Sequence, residues 1–181
     1  EGNIGTGKTT LCKMLQQDYN CQLVLEQFTD NPFLPLFYKE PGRYAFPVEL
    51  FFMSERYKQL QECLIDRDLF NHFILSDYFF QKTALFAQNN LNEEEYQLFL
   101  RFHRILDGLF PKPDLLVYLH RPVDQLYKQI RKRNRKIEAD LKLEYLAKIE
   151  SAYFSYFNRS PNFPILIIDL GDMNFNDNLS D

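Results

Sequence analysis

Four short apolar runs recur along the chain between longer stretches of mixed polarity. They are Leu23-Val24-Leu25, Phe73-Ile74-Leu75, Leu115-Leu116-Val117-Tyr118-Leu119 and Ile165-Leu166-Ile167-Ile168. Short runs unbroken by polar residues are the pattern of parallel strands buried on both faces. The stretches between them carry helix signals. Asn92 is a good N-cap, Glu93-Glu94-Glu95 places negative charge in the first turn, and Gly108 closes that helix. Pro122 stands at the start of another helix, which runs into Val123-Asp124-Gln125-Leu126-Tyr127. This alternation predicts an α/β fold, a doubly wound parallel sheet with helices on both faces. No repeat or linker interrupts it, so residues 1–181 are expected to form one domain, with a frayed tail from Gly171 to Asp181.

Composition narrows the function. A chain of 181 residues with 45% apolar residues can bury a sizeable core. A net charge of −4 argues against a nucleic-acid binder that neutralises phosphates over a wide face. Cys12, Cys21 and Cys63 are scattered and have no metal-ligand spacing, which suits a reducing, cytoplasmic setting and no zinc site. No stretch is long and apolar enough to cross a membrane, and no signal peptide is visible. Phe and Tyr are plentiful; most must be core, but a surplus also suits a pocket that sandwiches a flat ligand.

The chemistry begins at the first residues. Gly2-Asn3-Ile4-Gly5-Thr6-Gly7-Lys8-Thr9 fits the phosphate-binding pattern G-x-x-x-x-G-K-[ST] at every fixed position, and a helical run from Lys8 to Leu15 follows where the motif demands one. Such a loop turns successive N–H groups toward a β-phosphate at a helix N-terminus. Lys8 would reach the β- and γ-phosphates of ATP, and the Thr9 hydroxyl would ligate Mg²⁺. A loop of this kind follows a buried strand, so a short apolar strand is expected ahead of Glu1, making five in all.

Ligands of such sheets bind beyond the carboxyl ends of the strands. Glu26, Ser76-Asp77, His120-Arg121 and Asp169 occupy those positions. Asp77 is either a capping residue or the carboxylate that holds Mg²⁺ beside a P-loop. Glu26 is either a loop carboxylate or a general base. A hydroxyl acceptor needs help losing its proton, whereas a phosphate acceptor is already ionised. The run Arg131-Lys132-Arg133-Asn134-Arg135-Lys136 is either a solvated helix end or a lid that brings guanidinium groups over ATP.

Further segments give the chain a resemblance to the deoxynucleoside kinases related to deoxycytidine and deoxyguanosine kinase. Glu1-Gly2-Asn3-Ile4-Gly5-Thr6-Gly7-Lys8-Thr9-Thr10 is narrower than a generic P-loop. Asn31-Pro32-Phe33-Leu34, the stretch from Phe37 to Phe46, the stretch from Pro113 to Leu119, and Leu143-Glu144-Tyr145-Leu146 also match, so the resemblance covers nearly the whole length. It implies a P-loop NTPase-type fold, ATP-dependent phosphorylation of a deoxynucleoside 5′-hydroxyl, and a homodimer built from helices. It implies roles by position. Glu26 resembles the catalytic base, and Tyr38 with Glu144 the pair that hydrogen-bonds the 3′-hydroxyl. Glu49 stands where the family places a base-reading Gln, Arg56 where it places a supporting Arg, and Phe86 resembles the ring that stacks on the base. Arg133 and Arg135 resemble lid arginines, with the lid spanning about 133–141 and Glu138 at lid spacing.

Two positions depart from the pattern. Where the family usually has Glu-Arg-Ser, this chain has Ser76-Asp77-Tyr78, so the usual Arg is missing; where relatives often carry an Asp near the base, it has Lys82. Either Asp77 takes the metal side and Lys82 restores the positive charge, or the base site is rewired around Lys82. The expected activity is a deoxynucleoside 5′-kinase with a purine preference, because an ionised Glu49 offers only acceptors. The rivals are a thymidylate-type nucleotide kinase, against which Glu26 and the Tyr38/Glu144 pair argue, and a non-catalytic nucleotide-binding regulator.

Overall fold

All four apolar runs fold as strands, in the computed structural model that describes residues 1–27, 31–65, 70–135, 138–159, 161–171 and 173. The order is α1 (Lys8–Asp18), β1 (Cys21–Val24), α2 (Leu34–Phe37), α3 (Pro41–Ile65), β2 (Phe73–Ser76), α4 (Lys82–Asn90), α5 (Glu93–Asp107), β3 (Leu116–His120), α6 (Val123–Arg133), α7 (Leu143–Phe157) and β4 (Ile165–Asp169). The strands pair in parallel, β1 with β2 from Cys21↔Phe73 to Val24↔Ser76, and β3 with β4 from Leu116↔Ile165 to His120↔Asp169. Parallel neighbours need a long crossover. α2 and α3 provide the first, and α6 and α7 the second.

Among the described residues the four strands make two two-stranded sheets, with no hydrogen bonds between β2 and β3. The fifth strand was expected ahead of Glu1, beyond the residues described. Gly2 pairs in parallel with Leu119, and the Leu119 N–H donates to the Glu1 carbonyl at 2.8 Å, so the first residues run beside β3. Burial on both faces also fails in part. Phe73 and Ile74 of β2 and Leu166 and Ile167 of β4 are exposed. The fraying expected of the tail falls largely outside the described residues, as does Lys136 of the basic run. Among the described residues, no helix is long and apolar enough to cross a membrane.

Helical periodicity decides what the site receives. Ala45, Val48, Glu49, Met53, Arg56 and Cys63 lie on one stripe of α3 and are all buried. Two of those core positions are charged, and this puts Glu49 and Arg56 inside. On α7 the buried stripe is Leu146, Ile149 and Tyr153. Ile149 and Tyr153 pack on Leu116 and Tyr118 of β3 and Leu85 of α4, while Leu146 packs on Leu126 and Ile130 of α6. α5 starts with the expected cap: Asn92 Oδ1 accepts from the Glu95 N–H at 2.8 Å and Glu95 Oε2 from the Asn92 N–H at 3.3 Å. It buries Phe99 and His103 but leaves Leu98, Phe102 and Ile105 exposed.

Candidate active site

The loop from Gly2 to Thr9 leads into α1. Gly5 and Gly7 have φ of 89° and 93°, which an L side chain resists, and a Cβ at Gly5 would meet Ile130 Cγ1 at 2.9 Å. Asn3 is buried and ties the loop down: Nδ2 donates to the Leu146 carbonyl at 2.8 Å and Oδ1 accepts from the Ile4 N–H at 2.8 Å. Thr6 Oγ1 donates to the Asn3 carbonyl at 3.0 Å. Ile4 packs against two core clusters. No side chain caps α1, and Thr10 lies in its first turn, so that turn's N–H groups suit an anion. Lys8 Nζ donates to the carbonyls of Gly2 and Asn3, each at 2.9 Å. Burial and the neighbouring Lys82 charge push its pKa down to about 8. A polyphosphate arriving there would stabilise the charged form.

Asp77 joins this loop to the end of β1. Its Oδ2 accepts from Thr9 Oγ1 at 2.5 Å, and its Oδ1 from the Glu26 N–H at 2.8 Å. Among the described residues no group of three or more His, Cys, Asp and Glu could hold a metal. One hydroxyl and one carboxylate, both hard oxygen donors, nevertheless fit Mg²⁺, which takes few protein ligands and fills its sphere with water and phosphate oxygens.

Glu26 is held by two buried cations. Its Oε1 accepts from Arg56 Nε at 2.8 Å and Nη2 at 2.5 Å, and its Oε2 from Lys82 Nζ at 2.6 Å. Burial raises the Glu26 pKa, but Lys82 and then Arg56 outweigh it and hold the carboxyl well below the usual range. Arg56 Nη1 donates to Thr83 Oγ1 at 2.9 Å. Tyr78, in the segment that departs from the family pattern, packs against Val24 and Cys63 and donates its hydroxyl to Gln59 Oε1 at 2.8 Å. The positive charge missing from the Ser76-Asp77-Tyr78 segment has a counterpart in Lys82, whose Nζ donates to Glu26.

Glu49 is only 2% exposed. Its Oε1 accepts from Asn90 Nδ2 at 2.6 Å; its Oε2 has no hydrogen-bond partner among the described residues. Burial pushes its pKa up to about 7 from the ordinary 4.5, against the opposing Asn90 hydrogen bond and Arg56 charge. A carboxyl with a raised folded-state value keeps its full contribution to stability below the unfolded value and loses it as pH rises through the folded one. From about pH 4.5 to about pH 7 the fold should therefore lose about 3 kcal/mol through this group. Glu49→Gln, which cannot ionise, is expected to melt higher than wild type at pH 8 and nearly level with it at pH 5. Thermal melts at both values check this, and an equal difference at both would contradict it.

Around Glu49 stand the other expected substrate residues. Asn90 Nδ2 also donates to the Tyr145 hydroxyl at 3.0 Å, and the Tyr145 ring meets that of Tyr38 edge-on at 6.4 Å. Burial, then Glu138 and Glu49, raise the Tyr38 pKa and keep its hydroxyl a donor. Glu144 lies exposed in the first turn of α7, with no hydrogen bond to Tyr38. Phe86 is half-buried, and Lys82 Nζ sits 5.5 Å from its ring centroid. In the lid segment, Arg133 Nη2 donates to both carboxylate oxygens of Glu138 at 2.6 Å, and Arg135 Nη1 lies 3.9 Å from the same carboxylate. Asn134 between them has φ 52° and ends α6. Residues 136 and 137 of the lid fall outside the described residues.

Sequence reasoning missed four contributors. Asn90 and Thr83 are ordinary helix residues with no spacing signal, and Tyr145 stood in the matching segment from Leu143 to Leu146 with no role attached to it. Glu1 accepts from the Phe79 N–H and the Tyr153 hydroxyl, each at 2.8 Å, fixing the loop after β2 to α7. Its place in the extended P-loop motif was the available hint.

Comparisons with known proteins place the chain in a family. A family model described as deoxynucleoside kinase matches residues 1–181. The chain is 31% identical over 191 residues to a deoxyguanosine kinase of Bacillus subtilis strain 168, covering 100% of this chain and 89% of that protein. It is 32% identical over 177 residues to a deoxyguanosine kinase of Lactobacillus acidophilus, covering 93% and 78%. A deoxyadenosine kinase of M. mycoides with bound dATP has the same fold, with a TM-score of 0.80 at 21% identity over 93% of this chain and 87% of that one. On the family match and this identity, the chain is a member of the deoxynucleoside kinase family.

Proposed function

We propose that this kinase transfers the γ-phosphoryl of ATP to the 5′-hydroxyl of purine deoxynucleosides, as a salvage step that yields the 5′-monophosphate. The observation that carries the reading is the double role of Asp77, which grips the Thr9 hydroxyl of the phosphate loop and the backbone of Glu26. It sets a carboxylate suited to a hydroxyl acceptor beside the loop suited to the donor. The relatives named deoxyguanosine and deoxyadenosine kinases support the purine preference.

In this mechanism ATP lies on residues 2–10, with Lys8 leaving the loop carbonyls for the β- and γ-phosphates. Thr9 and Asp77 would hold Mg²⁺, which would supply charge neutralisation on the phosphates. The nucleoside sits between α3, α4 and α7. Phe86 packs on its base, Glu49 reads the base edge with Arg56 in support, and Tyr38 with Glu144 takes the 3′-hydroxyl. Glu26 accepts the 5′-hydroxyl hydrogen bond. Its low basicity is no obstacle, because in a loose transition state the proton leaves late, as the O–P bond forms. Lys82, Arg133 and Arg135 add positive charge around the transferring group. The exposed face of α5, with Leu98, Phe102 and Ile105, supports a homodimer. The three free, buried cysteines support a cytoplasmic setting.

ADP production with each of the four deoxynucleosides and with dTMP tests the reading. Deoxyguanosine or deoxyadenosine should lead and thymidine should trail. A dTMP preference, or ADP release indifferent to any acceptor, would overturn it. A 3′-deoxy nucleoside should lose the equivalent of about 1–3 kcal/mol in kcat/KM, because its absent hydroxyl leaves Tyr38 and Glu144 unpaired. Equal kcat/KM would remove that pair from the site.

A further inference from the structure

The Glu49 carboxyl is placed to do more than accept hydrogen bonds. One oxygen is taken by Asn90, and Oε2 is buried with no partner among the described residues. The nearest cations are turned to Glu26 and not to it. On its own helix, Arg56 commits Nε and Nη2 to Glu26 and Nη1 to Thr83; at the start of α4, Lys82 commits Nζ to Glu26. Among the described residues, the other titratable groups facing Glu49 are the anionic Glu26 after β1, the Tyr38 hydroxyl after α2 and the Tyr145 hydroxyl on α7. The Tyr145 hydroxyl already accepts from Asn90. No hydrogen bond among the described residues commits the carboxyl to one protonation state, and burial brings its titration to about pH 7.

The two purines ask for opposite partners. Adenine offers its 6-amino donor beside the N1 acceptor, and guanine offers N1–H and 2-amino donors side by side. We propose that Glu49 selects between the purines by its own proton: the neutral carboxyl, with one donor and one acceptor, pairs with adenine, and the ionised carboxylate, with two acceptors, pairs with guanine. One enzyme then prefers deoxyadenosine in acid and deoxyguanosine in alkali. The inference rests on the reading of the space between α3, α4 and α7 as the nucleoside site.

Two measurements test it. The first is kcat/KM for deoxyadenosine and deoxyguanosine at saturating ATP from about pH 6 to about pH 8. The deoxyadenosine/deoxyguanosine ratio should fall by about tenfold or more across that range, up to about tenfold per unit if each form takes one purine only. In Glu49→Gln the ratio should be flat and close to the wild-type acid value. The second is calorimetric binding near pH 7 in buffers of different ionisation enthalpy. Deoxyadenosine should take up about half a proton and deoxyguanosine should release about half, and both exchanges should vanish in Glu49→Gln. A pH-independent ratio with normal phosphorylation overturns the inference alone. So does a pH dependence or proton exchange that survives in Glu49→Gln. If neither nucleoside binds or is phosphorylated at any pH, the nucleoside-site reading itself fails, and the inference falls with it.

Discussion

Replacing Lys8 with alanine is expected to lower turnover by roughly 10³-fold or more while leaving the protein folded. The size follows from the work the ammonium does. Negative charge spreads over the γ-phosphoryl oxygens as it transfers, and a buried cation in a dry loop stabilises that charge far more than it would in water. A loss of 10³ corresponds to about 4 kcal/mol of transition-state stabilisation. The fold should tolerate the change for a reason visible in the free protein. Lys8 Nζ rests on two backbone carbonyls, and its removal leaves no carboxylate without its cation. Its charged form is already disfavoured there by burial and by Lys82. Melting temperature within a few degrees of wild type, together with near-absent ADP formation, is the expected pair of results. Near-wild-type turnover would show that the loop does not hold the donor phosphates.

The difference between what could be read from the residues and what could not has physical causes. The phosphate loop was legible because its requirement is on the backbone: glycine at set spacings before a lysine and a helix. Gly5, packed on Ile130 at positive φ, shows why no other residue serves. The strands were legible because an apolar run of that length has few other fates. Their partition into two pairs was not, since pairing depends on which edges meet rather than on the run itself. Glu49 and Arg56 could be placed on one helical stripe, and both proved buried. The proton on Glu49 could not be foreseen, because it depends on which donors reach a buried oxygen. Lys82 stood out as a departure, yet a long flexible side chain can turn to several partners, and only the fold shows it on Glu26. Asn90 gave no signal, because a single hydrogen bond between helices leaves no periodic trace.

Glu26→Gln is expected to lower kcat by roughly 10²–10⁴-fold, the range for a positioned carboxylate that takes a proton, with a much smaller change in nucleoside binding. The amide keeps the shape and one oxygen but cannot accept the 5′-hydroxyl proton. The same change should also weaken the fold. Arg56 and Lys82, with side chains only 4% and 5% exposed, both rely on this carboxylate, and breaking a buried pair from one side costs about 3–5 kcal/mol. A drop in activity alone would therefore be ambiguous. The double variant Glu26→Gln/Lys82→Met separates the two effects. Taking away one of the stranded cations should recover most of the lost stability, because a single charge then remains for Arg56 to share between the amide oxygen and Thr83. Activity should stay as low as in the single variant, since neither the proton acceptor nor the Lys82 charge has returned. Urea unfolding together with single-turnover phosphorylation of deoxyguanosine reads both quantities. Recovery of kcat along with stability would mean that Glu26 only balances the two cations, and the proton would then have to leave to another group.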